Sequence, residues 1–376
     1  MTDLKPGWKL VKFGEVVRLN KETCKDPQAA GINRVIGLEH LEPGDLRVRS
    51  WADVADGTTF SNRVRPGQVL FGKRRAYQRK VAVADFDAIC SGDIYVFESA
   101  DPKRLLPELL PFICQTEAFF EYAVGTSAGS LSPRTNWKSL AEYEFALPPI
   151  DEQQRISLAA RTVTYLRESL YDVERTALAL VEAFCSDLVS SVPSEEQVKV
   201  GAIAKFTSGK SIPVSSLPQS PSDGTPIPVY GGNGIAGYTS TPLASVPVPS
   251  VVIGRVGQYC GVTTYTWVES WVTDNALYPI SISECVSAPY LALALRGRHL
   301  NRGKLGEYLP LITQKVLHSI LVPVPSLCDQ QRDVNCVREL EHAFGSICAR
   351  LREVDVLHQR LLSCLSTTKG IVNVVY

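Results

Sequence analysis

The residues best suited to chemistry lie in one run, Lys73-Arg-Arg-Ala-Tyr-Gln-Arg-Lys80. Five cations, a tyrosine and a glutamine fall within eight residues, with Arg63 and Arg65 just upstream and no acid between them and Asp85. Cations at this density neutralise phosphates, and Arg and Gln can also read guanine and adenine edges in the major groove. Lys73, Arg74, Arg75, Tyr77, Gln78, Arg79 and Lys80 are therefore candidate DNA contacts; the competing account is a solvated loop. A sparser set recurs at Gly254-Arg-Val-Gly-Gln-Tyr259, which makes Arg255, Gln258 and Tyr259 candidates, and the glycine-rich stretch before it adds Tyr230 and Asn233. Lys+Arg and Asp+Glu balance at 39 each, so the cluster is a local footprint and a strongly basic DNA-coating protein is excluded.

Catalytic chemistry finds less support. There is no H-E-x-x-H, and Gly209-Lys-Ser211 lacks the upstream glycine of a phosphate-binding loop. The Asn/Asp-Pro-Pro-Tyr/Phe signature of an amino-methyltransferase is missing as well. Gly125-Thr-Ser-Ala-Gly129 fits G-x-S-x-G, but Ser130-Leu-Ser-Pro133 follows where a helix should start. Gly232-Asn-Gly-Ile-Ala-Gly237 fits G-x-G-x-x-G and fails in the same way at Tyr238-Thr-Ser-Thr-Pro242. Tight glycine turns in β-rich domains account for both. The ten cysteines contain no C-x-x-C pair and read as buried thiols, neither disulfides nor zinc ligands. No cofactor or metal is expected.

These residues must be held by a duplicated framework. Val11-Lys-Phe-Gly-Glu-Val-Val-Arg18 is answered by Val198-Lys-Val-Gly-Ala-Ile-Ala-Lys205, with Gly14 and Gly201 in the same place. Val69-Leu-Phe-Gly-Lys-Arg74 is answered by Val251-Val-Ile-Gly-Arg-Val256. Each half then closes on a proline signal and a Gln-Gln-Arg helix start, Leu147-Pro-Pro-Ile-Asp-Glu-Gln-Gln-Arg155 and Val322-Pro-Val-Pro-Ser-Leu-Cys-Asp-Gln-Gln-Arg332. Between these landmarks lie short β-rich runs such as Gln68–Phe71, Ile94–Phe97 and Val251–Ile253, separated by Gly, Pro, Asp and Ser.

After each Gln-Gln-Arg the apolar spacing alternates three and four, as in a coiled-coil seam. The first seam runs Ala159, Val163, Leu166, Leu170, Val173, Ala177, Leu180, Phe184; the second runs Val337, Leu340, Phe344, Ile347, Leu351, Val354, His358, Leu361, Leu365. His358 is expected to fix packing at that seam. Chain connectivity makes the two helices antiparallel, with intermolecular coiled coils as the competing arrangement. The fold class is α+β: two similar β-rich domains joined by two long antiparallel coiled-coil helices. The expected boundaries are 1–150, a helix over 151–189, a second domain over 190–327, and a helix with its tail over 328–376. A seam of about thirty residues would hold the domains roughly 45–50 Å apart, about 13–15 base pairs of B-DNA. No segment approaches the ~18 apolar residues of a membrane helix, so a cytoplasmic protein without membrane contact is expected.

At Pro228-Val-Tyr-Gly-Gly-Asn-Gly-Ile-Ala-Gly-Tyr238, Val252-Ile-Gly-Arg-Val-Gly257 and Trp271-Val-Thr-Asp-Asn-Ala276, together with the two Gln-Gln-Arg segments, the chain resembles the specificity (S) subunits of type I restriction-modification systems. The resemblance implies two target-recognition domains, each reading one half of a split double-stranded DNA site. It also implies helices that dock two methyltransferase (M) subunits, with motor-nuclease (R) subunits as further members of the complex. By the same resemblance the chain has no active site and does not bind S-adenosylmethionine; it lends sequence choice to a partner that methylates adenine. One departure is that the first half has Val35-Ile-Gly-Leu-Glu-His40 where the second has its Tyr-Gly-Gly-Asn-Gly run, which implies heads of different subtype. Three rivals stay open: a modification-only system that never acquires a nuclease subunit, a coiled-coil scaffold with protein-binding heads, and a concealed nuclease centre of scattered carboxylates.

Overall fold

The computed structural model describes residues 4–301 and 311–366. The chain divides into two units, one formed by residues up to Leu170 with those from Arg350 onward, the other by Tyr171–Ala349. The two units repeat one topology. In the first, a four-stranded antiparallel sheet runs in the order Val17–Asn20, Ile94–Ser99, Val69–Gly72, Val81–Val83. In the second, the order is Ala204–Ser208, Ala276–Ile282, Ser250–Gly254, Thr263–Thr266. Each unit adds a smaller sheet built on a parallel pair, Arg34–Ile36 beside Ala88–Cys90 in one and Ile227–Gly231 beside Trp271–Val272 in the other.

The glycine landmarks mark a close approach. A Cβ on Gly14 would lie 2.7 Å from the Ala141 Cβ, and one on Gly201 would lie 2.8 Å from the His318 Cβ. Each glycine sits in a one-turn helix, Phe13–Val16 or Val200–Ile203, pressed onto the chain that returns toward the long helix. Phe13 anchors the first unit's core among Phe97, Phe119 and Phe145, while Tyr290, Leu291 and Val251 belong to the core of the second.

The Gln-Gln-Arg landmarks have an equally specific cause. Gln153 is buried, and its amide donates to the carbonyls of Arg104 (2.8 Å) and Pro148 (2.9 Å) while its oxygen accepts from the Leu106 N–H (2.9 Å). Gln330 makes the same three bonds, to the carbonyls of Cys285 (2.8 Å) and Pro325 (2.9 Å) and from the Ser287 N–H (2.9 Å). In both units one amide ties the start of the long helix to the segment leading into the unit's own helical part.

The long helices are Ile150–Ser190 and Leu327–Ser366. In the first unit Ile156 and Ala160 share a core with Leu362 and Leu365; in the second, Val181 and Cys185 share one with Val334 and Val337. As the first helix ascends the second descends, so within each unit the two run antiparallel. Charged ties fasten each unit to its helix segments. Arg167 donates to Asp355 (2.6 Å) and to the Gly44 carbonyl (2.8 Å), and Arg47 pairs with Glu168 (2.8 Å). In the second unit Arg296 bridges Glu182 (2.9 Å) and Glu341 (3.4 Å).

The second seam is buried or half-buried at every expected position. His358 lies within it, and burial, reinforced by the nearby Arg167 charge, holds its pKa below the usual range against the opposing pull of Asp355. The first seam needs correction. Val163 is buried, but Ala159, Leu166, Val173 and Leu180 face solvent, and the buried stripe runs instead through Ile156, Ala160, Val163, Val181 and Cys185. The helix is apolar over more than one face, and spacing alone selected a stripe that straddles the boundary. The thiols also depart in part from expectation. Cys90, Cys114, Cys185 and Cys260 are buried, with Cys90 pushed up to about 12 by burial, whereas Cys285, Cys328 and Cys336 are exposed.

Replacing Gln153 or Gln330 by Leu removes three hydrogen bonds and strands buried backbone partners. Each change is expected to cost about 2–4 kcal/mol in urea unfolding, whereas Gln154→Leu, at the exposed neighbouring position, should stay within about 0.5 kcal/mol.

Candidate nucleic-acid interface

The cation run becomes a turn between two strands of the main sheet. Its centre is a single 3-10 turn, Ala76–Gln78, which raises Tyr77 into solvent with 54% of its surface exposed. The cations around it do not form a bare positive patch. Arg74 pairs with Asp93 (3.2 Å) and donates to the Ser132 hydroxyl (3.2 Å), and Arg134 takes the other Asp93 oxygen (2.9 Å). Burial pushes the Asp93 carboxyl up, but the bonds from Arg134 and Arg74 outweigh it and leave the group below its ordinary range. Arg79 makes a two-bonded pair with Glu117, whose carboxyl that hydrogen bonding holds low. The Lys80 ammonium donates to the Leu38 carbonyl at 2.8 Å, and Lys73 lies 4.8 Å from the Tyr95 ring centroid. Upstream, Arg65 pairs with Glu22 (2.7 Å) and Arg63 with Asp87 (3.1 Å). Arg75 donates to Ser132 (3.3 Å), and Gln78 is half-buried. The acids come from sequence-distant elements, which is why the run looked unopposed in the sequence.

The second unit places its candidates differently. Gly232 and Asn233 form the turn of a hairpin between Ile227–Gly231 and Gly234–Thr239, with Asn233 exposed. This hairpin explains the G-x-G-x-x-G match without a nucleotide. Its turn and Tyr259, which is 40% exposed, border a cleft of about 480 Å³. The Arg255 N–H donates to the Asn275 carbonyl at 2.9 Å, and its side chain is half-buried. The side chain of Gln258 lies outside the described residues. Tyr230 calls for a correction: its ring is buried in the core beneath the hairpin with Val252 and Val272, so it supports the loop from within and offers no surface for DNA. The first unit thus gathers its candidates around one turn, whereas in the second Arg255 and Tyr259 lie on one turn, Asn233 on another that borders the same cleft, and Tyr230 in the core.

Sequence reasoning missed the carboxylates Asp93 and Glu117 and the hydroxyl of Ser132, which set how much of the first cluster's charge is available. The even count of charges was the only hint that each cation has a counterpart. Among the described residues no cluster of three or more His, Cys, Asp or Glu could hold a metal, and no helix is long and apolar enough to cross a membrane.

Comparison with known proteins bears on the fold and the family. Residues 5–168 match the family model described as the type I restriction modification DNA specificity domain. A stretch of 161 residues is 27% identical to the type I restriction enzyme EcoDI specificity subunit of Escherichia coli, covering 40% of this chain and only 35% of that protein. The S subunit of a type I restriction-modification system from M. genitalium superimposes with a TM-score of 0.67 at 16% identity, over 94% of this chain and 95% of that one. A chain from a structure describing complex assembly and conformational transition of the type I R-M system superimposes with a TM-score of 0.53 at 19% identity, over 96% and 97% of the two chains. Residues 5–168 are therefore similar to the type I restriction-modification DNA specificity domain, and the chain as a whole shares the fold of the S subunit from M. genitalium.

Proposed function

We propose that this chain is the DNA-recognition subunit of a type I restriction-modification complex, each unit reading one half of a bipartite double-stranded site. The observation that carries the reading is the duplication itself. Two units of one topology each present an exposed tyrosine, Tyr77 or Tyr259, on a turn at the same place in the main sheet, and the side chains around the two tyrosines differ. Similar frames with different contact residues suit an asymmetric site. The chain chooses the sequence, and the methyl transfer belongs to a partner.

The helices supply the partner surface in this reading. Leu158, Tyr165 and Leu166 in the first unit and Val173 and Leu180 in the second are exposed apolar residues on one side of the same helix, 40–70% of each being exposed. A row of that kind on a helix in water marks a docking face, here for methyltransferase subunits, with motor-nuclease subunits joining the same complex. The pairing of Arg74, Arg79 and Lys80 within the first unit favours a second reading, a scaffold whose heads bind protein.

The deciding experiment is co-expression with the neighbouring methyltransferase followed by methylation sequencing of host DNA. An adenine-methylated, gapped, asymmetric motif that disappears with this chain is expected; an unchanged methylome favours the scaffold. Leu166→Glu with Leu180→Glu should leave the melting temperature nearly unchanged, because both positions are exposed, while reducing methyltransferase recovered in pull-down by tenfold or more. Deleting one heptad from each long helix removes about 10 Å of helix and should change the gap in the methylated motif by about three base pairs.

A further inference from the structure

The two turns correspond residue by residue. The N–H groups of Lys73 and Arg255 donate to the carbonyls of Asp93 (3.0 Å) and Asn275 (2.9 Å), and those of Gly72 and Gly254 donate to the carbonyls of Lys80 (2.9 Å) and Val262 (2.8 Å). The N–H groups of Gln78 and Cys260 donate to the carbonyls of Arg75 (2.8 Å) and Gly257 (3.0 Å). Arg75 therefore stands where Gly257 stands, Tyr77 where Tyr259 stands, and Arg79 where Gly261 stands. All four flanking positions have left-handed backbone: φ is +70° and +87° at Gly257 and Gly261, and +53° and +56° at Arg75 and Arg79.

That conformation is free for glycine and strained for a residue with a Cβ. The second unit meets the requirement with glycine and the first does not. Among the described residues the one other non-glycine with positive φ is His299, so two of the three such residues flank this turn. Packing repays only part of the strain, through the Arg79 guanidinium 5.6 Å from the Phe120 ring centroid. Arg79 is about half exposed and its pair with Glu117 is a surface pair, which contributes little to stability. The Arg75 side chain makes one hydrogen bond, to Ser132, leaves its buried Nε without a partner, as Arg74 also does, and has no carboxylate partner among the described residues. Arg74 and Lys80, by contrast, are committed to Asp93 and to the Leu38 carbonyl, bonds that hold the turn itself.

We infer that Arg75 and Arg79 are the phosphate-binding pair of the first unit, two guanidinium groups on either side of Tyr77 kept where glycine would fold better, with Glu117 holding Arg79 until a DNA phosphate replaces it. Residues kept against backbone strain cluster at functional sites, and a guanidinium suits two-point binding of phosphate oxygens. The inference rests on the DNA-recognition reading, and it divides the cation cluster into binding and positioning residues.

The test uses the full-length chain and its Arg75→Gly, Arg79→Gly and double variants. Melting temperature is measured beside binding of a random-sequence DNA duplex over stepped salt concentrations. The double variant is expected to melt at or above the wild-type temperature, to bind about tenfold or more weakly, and to lose roughly one unit of salt slope per arginine. Glu117→Gln, which frees Arg79, is expected to bind more tightly than wild type. Lower melting temperatures with binding and slope unchanged would make the arginines structural and overturn the inference. Unchanged melting with unchanged binding would overturn it too. A wild-type chain with no salt-dependent affinity for duplex DNA would instead overturn the DNA-recognition reading beneath it.

Discussion

A single buried amide in each unit ties the start of the long helix to the globular part of that unit. Gln153 and Gln330 each satisfy two carbonyls and one N–H at the junction where a globular unit gives way to a long helix. Glutamine can both donate and accept within one planar group, which neither glutamate nor leucine of similar size can do. Once that junction is fixed, the first turns of the helix are held against the core of their own unit. The Arg167–Asp355 and Arg296–Glu182–Glu341 ties then hold the neighbouring segments in register. The apolar cores carry the burial, and these few polar contacts fix where the helices meet them.

Much of this was legible in the sequence, for identifiable reasons. Gly14 and Gly201 stood out because close backbone approach tolerates no other residue, and the Gln-Gln-Arg segments stood out because only one side chain makes the required bonds. The second helix's seam was read in the right register, since a single apolar stripe there matches a single buried face. The first helix failed half its register because it is apolar on a second face that stays exposed among the described residues. Sequence periodicity reports which residues avoid water, and it cannot say which of two apolar faces finds its partner inside the same chain.

The candidate interface was harder to read. The cations were visible as a run, but their partners come from far along the chain: Asp93 lies 19 positions from Arg74, Glu117 lies 38 from Arg79, and Ser132 lies 58 from Arg74. No local reading of charge could have matched them. Tyr230 looked like its neighbour Asn233 in a glycine-rich stretch. Tyr230 belongs to a strand whose alternation turns its ring into the core, while Asn233 sits on the turn beyond and faces out. The Val69–Arg74 and Val251–Val256 match already set Arg75 opposite Gly257, but the left-handed conformation the two share was hidden, because it leaves no trace in unlike side chains.

The uneven distribution of thiols between the units has a practical consequence for watching the protein at work. The three exposed cysteines, Cys285, Cys328 and Cys336, all belong to the second unit, whereas those of the first are buried (Cys90, Cys114) or half-buried (Cys24, Cys364). Maleimide chemistry on the native chain therefore places dyes on one unit ahead of the other, and Cys336 sits on the long helix itself. The molecule already carries an asymmetric set of optical handles, and a fluorophore there would report on the second unit and its helix without a cysteine having to be engineered.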